Sequence, residues 1–209
     1  MKKVFLLALA LLAVPGAARA QQASGGYAIV RGADSVVVER FTRTADRLEV
    51  NMNAFQAGRL RYVETLGAGG ATARVDLAIF APTAAAGDTT PQARASAVFR
   101  ADSVELVGVD GTKTVVAAPT GAVAYVNPSA ASFEQVVRRA KAIGGATVQV
   151  PVYVLAGGGE AVNATVAFAD ATSATVTLGP VAVELKLDAQ GGIVSGTIPS
   201  QGLTIVRLP

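Results

Sequence analysis

Apolar and polar residues alternate along most of the chain after residue 26, and this pattern is the strongest constraint on its fold. The segments Arg47–Phe55, Thr72–Phe80 and Val181–Leu187 show it most clearly. Successive side chains of a β-strand point to opposite faces of the sheet, so alternation predicts strands with one buried and one solvent-facing side. Half-buried strands of this kind are typical of antiparallel sheets, because parallel strands are usually buried on both faces.

Short segments rich in glycine separate the predicted strands. They are Gly67–Gly70, Asp110-Gly111, Gly157–Gly159, Gly179-Pro180 and Asp188–Gly192. Gly, Pro and Asp are the residues that tight hairpin turns favour. We therefore predict a mainly β fold, an antiparallel, strongly curved sheet or open barrel of about a dozen strands.

One short amphipathic helix is predicted, over Ser132–Ile143. Ser132 and Gln135 have the spacing of a capping box, and apolar residues recur at helical spacing through the segment. Gly144 follows the last apolar residue, where a glycine commonly ends a helix. We expect this helix to pack on one face of the sheet or to plug one end of it.

The first twenty residues have the features of a secretory signal peptide. Lys2 and Lys3 precede the apolar run Val4–Val14, and Ala18-Arg19-Ala20 places small residues where signal peptidase requires them. The apolar run is shorter than the about 20 residues of a membrane-spanning helix. We therefore expect residues 1–20 to be cleaved and the protein to be periplasmic or secreted.

The net charge of the chain changes when this leader is removed. The full chain has 18 basic and 15 acidic residues, and three of the basic residues lie in the leader, so 15 of each remain. A neutral mature chain argues against a nucleic-acid partner, and we expect no integral membrane segment after cleavage. Residues 21–209 are predicted to form a single extracytoplasmic β domain, with one candidate internal boundary in the loop 81–92.

The sequence contains no Cys, no His and no Trp. Disulfides are therefore excluded, and the usual general base and the ordinary ligands of zinc, copper, haem and iron–sulfur sites are absent. We expect no cofactor and no metal site, we assign no catalytic residue, and we favour a protein that is not an enzyme. The acid–base chemistry that remains open is a pair of carboxylates, as in glycoside hydrolysis.

Four residues are candidates for ligand binding: Arg43, Arg61, Tyr62 and Glu64. Glu64 shares one face of the strand Arg59–Leu66 with Tyr62, so its carboxylate is predicted to point inward and to need a partner. Arginine side chains suit carboxylate or phosphate groups of a ligand. The alternative, which we favour for the arginines, is cross-strand pairing with nearby acidic residues.

Two segments resemble uncharacterised secreted β-rich proteins of bacteria: Tyr27–Phe41 (YAIVRGADSVVVERF) and Gly196–Leu203 (GTIPSQGL). More remotely, amphipathic strands with one helix after a signal peptide are similar to the periplasmic lipoprotein carriers. Those proteins fold as a curved, incompletely closed sheet whose concave apolar face is covered by helices and holds acyl chains. This chain departs from them in having no Trp, few aromatic residues and one predicted helix.

The function we expect is that of a non-catalytic extracytoplasmic β domain that binds an apolar small molecule or an envelope protein on its sheet. The candidate lining residues are Leu60, Tyr62, Leu77, Ile79 and Phe80. Two alternatives remain open. One is a hydrolase or lyase that uses only paired carboxylates, and the other is a structural or assembly module that offers an edge strand to a partner.

Overall fold

A computed structural model of the chain describes residues 22–55, 58–84, 87–155 and 159–209. The predicted signal peptide (residues 1–20) and part of the predicted turn 157–159 lie outside these residues. The described ranges form 15 strands and one α-helix. They are β1 (Ala23–Arg31), β2 (Asp34–Arg43), β3 (Arg47–Ala54), β4 (Gly58–Leu66), β5 (Thr72–Ile79), β6 (Ala93–Phe99), β7 (Ser103–Val107), β8 (Lys113–Ala117), β9 (Val123–Tyr125), α1 (Ala130–Ile143), β10 (Thr147–Val154), β11 (Glu160–Asp170), β12 (Ser173–Leu178), β13 (Val181–Leu187), β14 (Ile193–Ile198) and β15 (Leu203–Leu208).

All 15 strands belong to one sheet, whose order is β8-β7-β6-β5-β4-β3-β2-β1-β15-β14-β13-β12-β11-β10-β9. The first and last strands pair in the middle of this order, with Ile29 opposite Ile205. Neighbouring strands are antiparallel except β9 and β10, which are parallel. The prediction of a mainly antiparallel, curved β sheet is therefore confirmed, with more strands than the alternation in the sequence revealed.

The strands predicted from alternation coincide with β3, β5 and β13, and the first two end one residue earlier than predicted. The loop 81–92, the candidate internal boundary, connects β5 to β6. These two strands pair directly, with Ile79 opposite Ala93. The loop therefore joins adjacent strands of the same sheet.

The predicted helix is present as α1, but it begins at Ala130 and not at Ser132. Its N-cap is Ser129, whose side chain accepts a hydrogen bond from the Ser132 N–H group. Ser132 already lies within the first turn, so placing the cap there was wrong. A serine three residues earlier takes the cap, because two alanines between the serines extend the helix readily. Gly144 ends the helix as predicted, with a positive φ of 85°.

Helix α1 runs through the inside of the curved sheet from one end to the other. We call the end that holds the turns 32–33, 179–180 and 199–202 the upper end, and the end that holds the turns 44–46, 67–71 and 188–192 the lower end. The helix follows β9 at the upper end and leads into β10 at the lower end. All residues of its N-terminal half, polar ones included, are buried. No helix in the described ranges is long and apolar enough to cross a membrane.

The curl of the sheet brings β9 close to β5, and we call this junction the seam. The backbone N–H of Thr72 donates to the Ala122 carbonyl at 3.0 Å. The Ala124 N–H group donates to Thr72 Oγ1 at 2.7 Å. Strands β6, β7 and β8 continue the sheet beyond β5, so the sheet is curled but not closed into a barrel.

Candidate functional site

A buried carboxylate from β2 holds the first turn of α1. Glu39 has no solvent exposure, and its carboxylate oxygens accept hydrogen bonds from Ser129 Oγ and from the Ala131 N–H group, both at 2.7 Å. The first N–H groups of a helix have no partner within the helix, and the helix dipole favours a negative group there. Glu39 therefore fixes the helix to the sheet.

A second buried carboxylate, Glu134, projects from α1 towards the lower end. It accepts hydrogen bonds from the Tyr27 hydroxyl, from the Ile193 N–H group at 3.2 Å and from Arg138 Nε at 2.9 Å. Arg43 Nε lies 3.3 Å from the same carboxylate. Burial raises the pKa of Glu134, but the charges of Arg43 and Arg138, together with the hydrogen bonds from Tyr27 and Arg138, outweigh burial, so its pKa lies below the ordinary value. Glu134 is therefore an ionised group with several partners.

A third buried carboxylate, Glu64 of β4, lies beside the seam. Its carboxylate accepts a hydrogen bond from the Thr72 hydroxyl, the same hydroxyl that receives the Ala124 N–H group. Two positions earlier on the same face, the Tyr62 hydroxyl lies 2.8 Å from Ser129 Oγ. Strand β4 thus contributes to both the seam and the helix cap, because alternate residues of one strand share a face.

Burial raises the pKa of Glu39 and of Glu64 from 4.5 to about 7. Hydrogen bonds from Ser129 and Ala131 to Glu39, and from Thr72 to Glu64, lower the pKa of each group but do not offset the loss of hydration. The interior therefore holds two carboxyl groups that change charge near neutral pH.

The structure brings together three of the four residues predicted to bind a ligand. Arg43, Tyr62 and Glu64 all point inward around α1, and Arg43 donates a hydrogen bond to the Gln135 side chain. Arg61 lies on the outer face of β4, where its guanidinium contacts Glu49 at 2.6 Å. Alternation placed Tyr62 and Glu64 inside, and the same alternation places Arg61 outside.

Arg43, Tyr62 and Glu64 are at most 6% exposed, and each is hydrogen-bonded to another buried polar residue of the protein. A side chain that is buried and hydrogen-bonded within the protein cannot reach a ligand without a structural change. The polar interior consequently positions α1 inside the sheet. The position of α1 in turn determines where space remains.

That space is an apolar cavity of about 300 Å³ at the upper end. Phe133, on the first turn of α1, is the helix residue that lines it. The remaining apolar lining comes from β1 and from the segments between β9 and β15: Ile29, Tyr125, Pro128, Val154, Val162, Leu178, Pro180, Val181, Ile198 and Leu203. Gly179 and three exposed polar residues, Asn127, Glu160 and Gln201, complete the lining. The cavity thus combines apolar walls with a polar mouth, as small-molecule sites do.

The candidate lining residues predicted from the sequence lie on β4, on β5 and directly after β5, and none of them lines this cavity. Tyr62 is part of the buried core, and Leu60 and Leu77 pack against it. The lining residues lie mostly within two positions of a turn at the upper end. Their alternation was visible in the sequence, but nothing local distinguishes an apolar residue facing empty space from one facing a neighbour.

The fold and the site define a mainly β protein whose described residues form one large, mostly antiparallel sheet curled around one α-helix. No protein-family model matches the chain, and no curated protein matches it. A DUF1089 family protein from Pseudomonas aeruginosa has a similar solved structure, with a TM-score of 0.57 and 15% sequence identity over 78% of this chain and 89% of its own. A β-barrel-like protein of domain of unknown function DUF1849 from Brucella abortus has a TM-score of 0.48 and 10% identity, over 90% of this chain and 94% of its own. At this identity the first likeness shows a shared fold and nothing about function.

Proposed function

We propose that this protein is a non-catalytic extracytoplasmic binding protein that holds an apolar ligand in the cavity at its upper end. The observation that carries the proposal is the cavity itself, with apolar side chains on its walls and polar ones at its mouth. Unfilled apolar space is unfavourable for a protein on its own, since closely packed interiors are the rule. A ligand would supply the missing contacts.

The size of the cavity favours a small ligand. A volume of about 300 Å³ lies at the lower end of the range for ligand sites. It suits part or all of one alkyl chain better than a lipid with several chains. The predicted signal peptide and the remote resemblance to periplasmic lipoprotein carriers support an apolar ligand from the cell envelope.

The carboxylate-only enzyme receives no support from the geometry. The three interior carboxylates Glu39, Glu64 and Glu134 are each engaged by helix or seam groups, and none of them lines the cavity. Glycoside hydrolysis requires two carboxylates on either side of a substrate.

A series of n-alcohols from hexanol to dodecanol tests the proposal by isothermal titration calorimetry on the mature chain. Burial contributes about 0.8 kcal/mol per methylene, so affinity should rise about fourfold with each carbon until the cavity is full. The variant Val162→Phe places a larger side chain on the cavity wall and should abolish binding. Val116→Phe, a change of the same kind at a half-buried position of β8 away from the cavity, should bind like the wild type. Absence of binding to every alcohol would refute the proposal.

A second candidate, the assembly module, is supported by the edge strand β8. This strand pairs only with β7 among the described strands, and its Val115 is 67% exposed. Exposed strand edges can pair with a strand of another molecule. Sedimentation velocity of the wild type and of Val115→Lys tests this function. A larger species that dissociates in the variant supports it, and a monomer at all concentrations contradicts it.

A further inference from the structure

We infer that the upper cavity selects a single-chain amphiphile whose headgroup is cationic or uncharged and rejects the same chain with an anionic headgroup. The inference rests on the proposed function and specifies the ligand class of the same cavity. The inference is based on the polar groups at the mouth of the cavity and on the charges around them.

The described residues at the mouth present one carboxylate and two amides and no cation. Among the described residues, Lys and Arg are absent from the lining, and Glu160 forms no ion pair. The one carboxylate at the mouth is therefore available to a ligand. A cationic headgroup would be attracted there, and an anionic one would be repelled.

The two amides add hydrogen bonding without adding charge. Asn127 Oδ1 accepts a hydrogen bond from the Tyr125 hydroxyl at 3.3 Å, which orients the amide and leaves its NH2 group free to donate. Gln201 is also exposed and lies in the turn between β14 and β15. A hydroxyl headgroup would find both donors and acceptors at this mouth.

Charges outside the mouth do not reverse this preference. The adjoining cleft shares Pro128 with the cavity, and it holds one residue of each sign, Arg31 and Asp34. Of the interior acids, Glu39 is bonded to the helix cap and Glu134 lies towards the lower end, and neither lines the cavity. Among the described residues of the cavity and the adjoining cleft, Glu160 is thus the uncompensated charge where the headgroup of a bound chain would lie.

Three probes with one chain length test the inference: decylammonium, decanol and decanoate, titrated calorimetrically at low ionic strength and pH 7.5. We expect decylammonium to bind about tenfold more tightly than decanoate, with decanol between them, because exposed charges interact modestly. The variant Glu160→Gln should reduce the ratio to less than twofold, and Glu160→Lys should reverse it. Glu105→Gln, which removes a carboxylate on β7 away from the cavity, should keep the wild-type ratio. Added salt should shrink the wild-type ratio, since exposed charges are screened.

The possible outcomes separate this inference from the proposed function. If none of the three probes binds, the proposed function fails and the inference fails with it. If decanoate binds the wild type as tightly as decylammonium does, the inference is overturned and the proposed function stands. If the preference exists but survives in Glu160→Gln, the assignment to Glu160 is overturned.

Discussion

The substitution Glu64→Gln should make the protein more stable at alkaline pH. Glu64 is almost completely buried, and burial raises its pKa from 4.5 to about 7. Arg43 and Thr72, the charged and polar neighbours that act on it, both favour the ionised form but contribute less than burial. Glutamine has nearly the same shape, can still accept the Thr72 hydroxyl and cannot ionise.

The sign of the effect follows from which state holds the proton. Between pH 4.5 and about 7 the folded protein keeps Glu64 protonated while the unfolded chain loses the proton, so the free energy of unfolding falls as the pH rises. At 1.36 kcal/mol per pKa unit the total is about 3 kcal/mol, and about 2.5 kcal/mol of it falls between pH 5 and pH 8. Glu39, whose pKa is also raised to about 7, adds a change of the same sign.

Urea unfolding followed by far-ultraviolet circular dichroism at pH 5, 6, 7 and 8 measures the effect. At pH 8 Glu64→Gln should be about 3 kcal/mol more stable than the wild type, and at pH 5 the two should agree within about 1 kcal/mol. Glu160→Gln, which removes an exposed carboxylate, is the matched control and should follow the wild type. Equal stability of the wild type at pH 5 and pH 8, or a Glu64→Gln variant without a gain at pH 8, would contradict a raised pKa of Glu64.

Three further substitutions test the seam, the helix cap and the buried Tyr153 hydroxyl. Thr72→Val leaves the Ala124 N–H group and a buried carboxylate without their partner and should cost about 2–3 kcal/mol in urea unfolding, whereas Thr72→Ser should recover most of the loss. Ser129→Ala removes the N-cap and a hydrogen bond to Glu39, so its melting temperature should fall by an amount equivalent to about 1–2 kcal/mol. Tyr153→Phe removes a buried hydroxyl that has no partner among the described residues. It should leave stability unchanged or raise it by up to about 1 kcal/mol, and a clear loss on unfolding would show that the hydroxyl is paired.

Much of the fold was predictable because strands and turns have local signatures. Alternation of apolar and polar residues identified β3, β5 and β13, and glycine-rich segments identified the turns between strands. The same alternation placed Tyr62 and Glu64 on the inner face. These predictions hold because the two-residue period of a strand is a property of the backbone and does not depend on what the strand packs against.

The cap of α1 shows where local patterns become ambiguous. The spacing of Ser132 to Gln135 fits a capping box and predicted the cap at Ser132, whereas the structure has it at Ser129. In the structure Gln135 is buried and donates to the Gly70 carbonyl at 2.8 Å. Gln135 therefore bonds a residue far away in the sequence instead of taking part in a capping box, and the cap falls on the earlier serine, Ser129.

By itself the sequence determined the strand period, the turns, a single helix and the absence of Cys, His and Trp chemistry. The tertiary structure alone decided that the helix lies inside the sheet, that Glu39 and Glu134 hold it there while Glu64 holds the seam, and that an apolar cavity remains above Phe133. The physical reason is that burial and empty space depend on contacts between residues far apart in the chain. Glu39 meets Ser129 across 90 positions, and a two-residue period carries no information about such a pair.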